Sequence, residues 1–486
     1  MGASLDQTVG FCCLECIDDG ELISPSWITD AKHAIISGPV ALRSSLIYYR
    51  AINQLKTAVE QSPIRGAWLH VGFVFSFMVI NFADKSVIGL SSGPIMSEMA
   101  LTNAQFGTLG SAFFLLFSIS GVAGGFLANK IRTKPLMSLM AVLWAVSVLP
   151  IGLVSSFPLL LGSRIVLGAA EGPAFPVALH SVYKWFPDRR RALPTSVIAS
   201  GAAFGTGIVA PLVSWIIARH GWHAAFGMLG MMSLGWFCIW SSTAAEGPLE
   251  GVESRPENIA RVAYRQLLSS RTAVGVFLAG FAAYSVVALN ITWLANYLVK
   301  ESHMTLIGAG WIIGFVSLMQ MMLVPGFAWF SQVLSDLGVS SRVARGLLGA
   351  ACVVTSGASM IWMVGVRSGL LQDLLIGVSF SIGAVIFTLG SALIGEITPP
   401  MQRGAMLGIT NSVHTLAGLV APVVMGHIID AYASPATGFR IGYVLNGIMV
   451  IAFGGVAAVL INPKADLARF ARRARVPKTA PNRNPD

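Results

Sequence analysis

The sequence has little charge. Only 11% of its 486 residues are Asp, Glu, Lys or Arg, whereas 55% are hydrophobic. Soluble globular domains carry about 25% charged residues, so this composition excludes a soluble enzyme, a secreted disulfide scaffold and a disordered chain. The net charge of +10 comes from basic residues in loops and tails between apolar stretches. This placement fits contact with a membrane surface better than binding of nucleic acid.

Cysteine and the usual catalytic motifs are also scarce. Cys13 and Cys16 have a C-x-x-C spacing, but no second pair or nearby His-x-x-x-His completes a zinc site. The chain contains no G-x-x-x-x-G-K-S/T loop for a nucleotide and no H-E-x-x-H or G-x-S-x-G motif. The sequence therefore predicts a protein that is not an enzyme and that uses no metal and no nucleotide cofactor.

Long apolar runs are what the sequence has in abundance. A helix needs about 20 residues to cross a bilayer and a barrel strand about ten, so runs of this length predict helices. A helix also satisfies its own backbone hydrogen bonds in lipid. Twelve spans are predicted, over residues 67–90, 104–128, 136–155, 158–186, 193–218, 222–245, 272–299, 306–332, 346–364, 371–395, 404–429 and 441–461.

Lys and Arg are distributed unevenly between the two sides of these spans. If the N-terminus is inside, the cytoplasmic segments hold 26 of the 32 basic residues and the external loops hold four. Because cytoplasmic loops of membrane proteins are enriched in Lys and Arg, both termini are predicted to be cytoplasmic.

The chain also repeats itself. The string GIVAP (207–211) in the fifth span returns as GLVAP (418–422) in the eleventh, and the first and seventh spans begin 205 residues apart. Six helices per half give both halves the same orientation, which is the parallel repeat of one large class of secondary transporters. The predicted units are an N-terminal tail (1–66), a first half (67–245), a cytoplasmic linker (246–271), a second half (272–462) and a basic tail (463–486).

Four ionisable residues lie well inside predicted spans. They are Asp84 and Lys85 in the first span and Arg164 and Glu171 in the fourth. Each costs several kcal/mol in a bilayer unless it is paired or solvated, so such residues are usually functional. At about 1.5 Å per residue, the first three lie roughly 8 to 9 Å below the outer boundary, and Glu171 lies near the middle.

These charges suit coupled transport of an anion. A buried guanidinium can hold a carboxylate with two parallel hydrogen bonds. A bound anion makes a neighbouring carboxyl group prefer its protonated form, so anion and proton bind favourably together. The alternative is purely structural, with Asp84 paired to Arg164 and Glu171 paired to Lys85 to hold the helices together.

Several strings occur together in one order: NFADK (81–85), SAFF (111–114), RIVLGAAEGP (164–173), WFP (185–187) and TWL (292–294). In this order they resemble the Major Facilitator Superfamily, and within it the anion:cation symporter family of organic-anion transporters, over about residues 67–462. The resemblance implies an all-α membrane protein with twelve transmembrane helices in two six-helix halves, related by a pseudo-twofold axis along the membrane normal. It also implies that Asp84 and Glu171 couple protons, and that Lys85, Arg164 and Asn81 bind substrate.

Some positions depart from the family pattern. Asn129, and its counterpart Gln332 in the second half, stand where such proteins usually carry an Asp that helps lock one conformation. The conformational equilibrium is therefore expected to differ from that of relatives. Lys85 replaces the more usual Arg, and Phe82 replaces a common Tyr.

The second half offers only neutral candidates. Trp293, Tyr297, Asn290 and Asn411 are predicted to bind the neutral part of the substrate. Trp and Tyr near a span end are also typical interfacial anchors, so a purely structural role is the alternative for them. Further polar residues are Ser379, Ser381 and His414, and a lone histidine of this kind is more typically packed and hydrogen-bonded.

These observations together predict an alternating-access carrier of the bacterial inner membrane that takes up an organic carboxylate with protons. The resemblance implies sugar acids, hydroxy- or dicarboxylates and aromatic acids as substrates. The carrier is expected to work as a monomer, with the substrate anion and the lipid bilayer as partners and without nucleic acid. An anion exchanger or facilitator without proton coupling, and an anion sensor that does not transport, are the alternatives.

Residues 1–66 lack the basic start and apolar core of a signal peptide and show no strong periodicity. They are expected to be poorly ordered, or to be an over-extended start of the reading frame. A chain that begins near Val59 should therefore behave like the full chain in size-exclusion chromatography and thermal unfolding. Loss of folding on this truncation would refute the expectation.

Overall fold

The computed structural model describes residues 66–128, 131–186, 190–248 and 262–475. Every regular element within these ranges is a helix. The predicted N-terminal tail up to residue 65, half of the linker (249–261), Asn129 and the last eleven residues lie outside the described residues. The description below concerns the helical unit that contains both predicted halves.

Within the described ranges, twelve helices are long enough to span a membrane. Eleven apolar helical segments qualify by length, and the longest of them, Leu193–Thr243, is two spans joined at Gly221. Gly221 has φ 80° and ψ 167°, a conformation that glycine adopts without steric cost, so it forms the tight connection between the fifth and sixth helices. The helices α1 to α12 are Ala67–Leu90, Asn103–Ala128, Thr133–Gly152, Phe157–Tyr183, 192–220, 222–243, Arg271–Lys300, Leu306–Asp336, Arg342–Met363, Leu370–Ile397, Arg403–Asp430 and Pro435–Leu460.

The predicted twelve spans are confirmed, with bounds that agree within about four residues. The exception is α12, which begins at Pro435, six residues before the predicted start at residue 441. Its first two turns contain Thr437 and Arg440, so the apolar run starts later than the helix. Proline favours the first turn of a helix because the missing N–H is not needed there. Three shorter helices were not predicted: Ser92–Glu98, Tyr264–Leu268 and Pro463–Arg475.

Helices α4 and α7 are two of the spans that change their helical path near the middle. Helix α4 is interrupted at Gly172 and Pro173, directly after Glu171, because proline has no N–H for the continuing ladder. Helix α7 contains a π-helical segment, Asn290–Leu294. Such segments are frequent at functional sites because they re-aim side chains within a helix. Both irregularities lie beside the buried charges described below.

The two halves meet where small residues allow their backbones to approach. Gly207 of α5 faces Gly314 of α8, and a Cβ at residue 314 would lie 2.8 Å from the carbonyl oxygen of Gly207. Gly107 of α2 lies in the same way against the backbone of Pro422 in α11. Small residues at helix interfaces are typical of membrane proteins, in which close van der Waals packing drives association.

One contact between the halves involves a charge at a helix end. Asp430, the last residue of α11, accepts hydrogen bonds from the backbone N–H of Asn103 (3.1 Å) and of Ala104 (2.7 Å). It also accepts one from the Asn103 side-chain amide at 2.8 Å. These residues begin α2, so the carboxylate satisfies free N–H groups and complements the positive end of the helix dipole. This cap holds α2 and α11 together on the side that the basic-residue pattern predicts to be external.

We expect Asp430→Asn to loosen this closed arrangement. Removing the charge should weaken the cap by about 1 kcal/mol, which corresponds to a shift of roughly fivefold in a conformational equilibrium. Gln105 and Tyr432 are both exposed and can carry spin labels. The distances between the labels would then show a larger population in which the two labels are far apart. Asp336→Asn is the matched control, because Asp336 bonds only Gln332 of its own helix among the described residues. An unchanged distance distribution in Asp430→Asn would contradict the assignment.

Candidate functional site

The four ionisable residues predicted inside the spans form one cluster in the first half. Asp84 and Lys85 lie on α1, Arg164 and Glu171 lie on α4, and all four side chains are buried. Arg164 and Glu171 are two helical turns apart, so they share one face of α4 as the sequence predicted.

Two glycines of α4 set the position of this face. Gly168 lies against the backbone carbonyl of Phe113 in α2, and Gly172 lies against the carbonyl of Phe117 and the side chain of Ser120. A side chain at either glycine would collide with these atoms. The spacing of Arg164, Gly168 and Glu171 places the glycine contact between the two charges. Close packing of α4 on α2 therefore determines where both charges lie relative to α1.

Lys85 is the best partnered of the four. Its Nζ lies 3.1 Å from Oε2 of Glu171 and donates a hydrogen bond of 2.5 Å to Oδ1 of Asn81. The ammonium also lies 4.1 Å from the ring centre of Phe82 and 5.3 Å from that of Phe117. Aromatic faces attract cations, so the rings add to the stabilisation that the acid supplies. A purely structural role for the four charges predicts two ion pairs, Glu171 with Lys85 and Asp84 with Arg164. The first of these pairs is present.

The other pair of that alternative is absent. Asp84 and Arg164 form no salt bridge, and within the described part of the chain neither oxygen of Asp84 has a hydrogen-bond partner. The same holds for Nε and Nη2 of Arg164, whose guanidinium carbon lies 5.7 Å from the ring centre of Phe226. Buried charges without partners are costly. This half of the cluster is therefore suited to a proton on Asp84 and to an anion on Arg164.

A narrow cavity opens beside the two cations. It is lined on the first half by Lys85, Arg164, Phe113 and Phe114, and Thr292 of the π-helical segment in α7 lines it from the second half. Thr292 is fully buried, and its hydroxyl has no hydrogen-bond partner among the residues that the structure describes. The cavity therefore lies at the junction of the two halves, where a bound molecule would contact both.

The structure does not bring the predicted aromatic residues of the second half to this cavity. Trp293 is buried, its indole N–H donates to the carbonyl of Pro422 at 3.0 Å, and its ring packs edge-on against Phe106. The hydroxyl of Tyr297 accepts a hydrogen bond from Gln372 at 3.2 Å. In this conformation both side chains pack the second half and its contact with α2.

The remaining polar candidates have varied surroundings. Asn290 is half-buried with an unpartnered Oδ1 in the described structure, and Asn411 is exposed. His414 is buried, with Nε2 3.2 Å from the carbonyl oxygen of Val276. His414 is therefore packed and hydrogen-bonded, as expected for a lone histidine in an apolar span. Ser379 and Ser381 are buried in α10, and Ser381 donates to the carbonyl of Gly377 at 2.5 Å.

Sequence reasoning missed the residues that form the walls of the cavity. Phe113 and Phe114 belong to the SAFF string, but apolar residues in an apolar span carry no signal for a site. Phe117 lies one helical turn further along α2, on the same side as Phe113 and Phe114, and this spacing is the one cue that the sequence contained. Thr292 gave no cue beyond its place in the TWL string. Only the approach of α2 to α1 and α7 identifies these residues.

Twelve helices in two halves around a buried charged cavity define a multi-pass membrane transporter. Residues 74–384 match the family model of the Major Facilitator Superfamily, and the chain belongs to that superfamily. The predicted fold class and family are therefore confirmed, and the chain is a transporter rather than an enzyme.

Its relatives are transporters named for organic acids. Over 435 residues the chain is 24% identical to the probable galactarate/D-glucarate transporter GudP of Bacillus subtilis, covering 81% of this chain and 90% of the relative. Over 400 residues it is 26% identical to the D-galactonate transporter of Escherichia coli, covering 76% and 91%. The inward-facing, unoccupied structure of a bacterial homologue of the human lysosomal transporter Spinster has the same fold, with a TM-score of 0.68 at 14% identity, covering 84% of this chain and 99% of that one.

The tight contact at Gly168 generates a prediction. Gly168→Ala should lower the free energy of unfolding by about 1–3 kcal/mol, because the new methyl group meets a backbone carbonyl that cannot rotate away. Thermal unfolding of the purified protein measures the change. Gly162→Ala on the same helix is the matched control, since no atom lies within 4 Å of the added Cβ. Equal melting temperatures for the two variants would show that the contact between α2 and α4 does not exclude a side chain at residue 168.

Proposed function

We propose that this chain is a secondary active transporter that takes up an organic carboxylate anion together with protons by alternating access. The observation that carries the proposal is the buried, unpartnered guanidinium of Arg164 beside the buried, unpartnered carboxyl group of Asp84. The organic acids in the names of the relatives support a carboxylate as substrate.

Arg164 and Lys85 bind the carboxylate of the substrate. The planar guanidinium of Arg164 has free N–H groups that match the two oxygens of a carboxylate, and such paired hydrogen bonds are strong and directional. Lys85 lines the same cavity and adds a second positive charge. The attraction is stronger here than in water because the site is buried and the local dielectric constant is low.

Asp84 and Glu171 carry the coupled protons. In the structure Glu171 neutralises Lys85 at 3.1 Å. A substrate carboxylate between the two cations competes for Lys85 and repels both acids, so their protonated forms become favourable. Protonation in turn frees the cations for the substrate. Each ligand therefore strengthens binding of the other, which is the thermodynamic requirement for symport.

The two halves expose the site alternately to the two sides of the membrane. In the structure α2 and α11 close one side through the Asp430 cap. With both termini in the cytoplasm, as the basic-residue pattern predicts, that closed side is external. The protein acts as a monomer in the bacterial inner membrane, and the proton gradient across that membrane drives uptake.

Uptake into proteoliposomes tests the proposal. A labelled panel of sugar acids, dicarboxylates and aromatic acids is offered with and without an inward proton gradient. Accumulation that requires the gradient and collapses with a protonophore is the expected result. Flux indifferent to the gradient would identify an exchanger or facilitator, and binding without flux would identify a sensor.

Substitutions at the cluster separate binding from coupling. Arg164→Lys keeps the charge but loses the paired geometry, so we expect uptake to fall by roughly tenfold or more, equivalent to about 1.4 kcal/mol. Glu171→Gln should retain substrate binding but lose accumulation driven by the gradient. Arg440→Ala, at an exposed arginine outside the cluster, is the control. Normal accumulation by folded Arg164→Ala or Glu171→Gln protein would disprove the assigned roles.

A further inference from the structure

We propose that the helix Pro463–Arg475, the tail helix, binds the headgroups of anionic phospholipids at the surface of the membrane. This binding surface lies outside the buried charge cluster, so its ligand is independent of the substrate and of proton coupling. Basic residues are frequent on one side of the spans, but the tail helix differs from the basic loops in two ways. It has a fixed place in the fold, and its exposed surface has two flanks of different chemistry.

The tail helix is held close to the membrane by the helix that precedes it. Only Ile461 and Asn462 separate its first residue from the end of α12 at Leu460. A connection of this length reaches at most about 11 Å, so the tail helix stays at the end of this span. It packs against α7 and α10, on the side that the basic-residue pattern predicts to be cytoplasmic.

Asp466 fixes the tail helix to the start of α7. Its buried carboxylate accepts hydrogen bonds from the backbone N–H groups of Thr272 at 2.8 Å and of Arg271 at 3.3 Å. The backbone N–H of Asn462 donates to the hydroxyl of Thr272 at 3.2 Å. The first N–H groups of a helix lack partners within it and form its positive end, so a carboxylate is well placed there. Because Asp466 is the one acidic residue of the tail helix, its burial leaves only positive charge on the exposed surface of this helix.

The exposed surface of the tail helix has an apolar flank and a basic flank. With 3.6 residues per turn, Leu467 and Ala471 lie on one side of the buried Asp466, and Arg469 and Arg472 lie on the other. All four of these flanking residues are exposed. A helix with this division is typical of segments that lie in the membrane interface, with the apolar flank at the boundary of headgroups and acyl chains. The basic flank then lies at the level of the lipid phosphates.

The two arginines of the basic flank suit the phosphate group of a lipid. A guanidinium matches two phosphate oxygens with paired hydrogen bonds. Arg469 and Arg472 are three residues apart, so they are neighbours on the helix surface and can hold one headgroup or two adjacent ones. Within the described part of the chain, neither arginine forms a salt bridge. Each basic residue at an anionic surface strengthens binding by about fivefold.

Thermal unfolding of the purified full-length protein in detergent, titrated with lipid, tests the proposal. Phosphatidylglycerol should raise the melting temperature and reach saturation, because a ligand that binds the folded state stabilises it. Phosphatidylcholine with the same acyl chains has no net charge and should have little effect. Inorganic phosphate is the third probe. Equal stabilisation by the two lipids would overturn the proposal, and so would an equal effect of inorganic phosphate without lipid.

A charge-matched pair of double variants locates the binding surface. Arg469→Gln combined with Arg472→Gln should raise the phosphatidylglycerol concentration for half-maximal stabilisation by roughly 25-fold, which is about fivefold for each arginine. Arg132→Gln combined with Arg342→Gln is the control, because both residues are exposed on the same predicted side but lie outside the tail helix. Both double variants lose the same charge, so an equal loss of affinity would identify nonspecific attraction and overturn the proposal.

Asp466→Ala separates docking of the tail helix from charge. The substitution makes the chain more positive, so nonspecific attraction predicts a larger effect of phosphatidylglycerol. Loss of the hydrogen bonds to Arg271 and Thr272 predicts the opposite, because lipid bound to an undocked helix no longer stabilises the rest of the fold. The rise in melting temperature is measured for each variant relative to the same variant in phosphatidylcholine. A smaller rise in Asp466→Ala supports the proposal, and an unchanged or larger rise would overturn it.

Discussion

The constraint on which this structure depends is the cost of keeping charge in a medium that solvates it poorly. Two cations and two acids are buried together, and only Lys85 and Glu171 form an ion pair, at 3.1 Å. A protein selected only for stability would pair all four charges or replace them with apolar side chains. The proposed function accounts for the unpartnered Arg164 and Asp84 by partners that arrive and leave, an anion and a proton.

The helix packing around the cluster follows from the same constraint. A guanidinium can hold a carboxylate in paired geometry only if its helix has a defined position, and the contact of Gly168 with the carbonyl of Phe113 gives α4 that position. Aromatic rings lie beside both cations, Phe82 at Lys85 and Phe226 at Arg164, and they limit the access of water to the cluster. Low solvation raises the strength of every charge interaction in the site.

The proposed alternation between two conformations requires that contacts between the halves be individually weak. The described contacts between the halves include glycine-mediated packing and hydrogen-bonded groups such as Asp430 with the start of α2. Gln332, at one of the positions where relatives usually carry an Asp, bonds Asp336 within its own helix. That the conformational equilibrium differs from that of relatives stays a prediction. The Asp430 cap is a charged contact between the halves, so changing it is one way to measure this equilibrium.

The sequence by itself determined the number of membrane-spanning helices, most of their ends and the identity of the four buried charges. These properties depend on local composition, because the length of an apolar run and the presence of a charge within it need no knowledge of neighbours. Pairing needed the tertiary structure: Glu171 meets Lys85, Asp84 does not meet Arg164, and Trp293 packs against Phe106 away from the cavity. Phe113 and Phe114, which line the cavity, likewise have no signature within an apolar span. Which side chains meet is decided by how closely the helices approach, and backbone contacts at glycines distant in sequence set that approach.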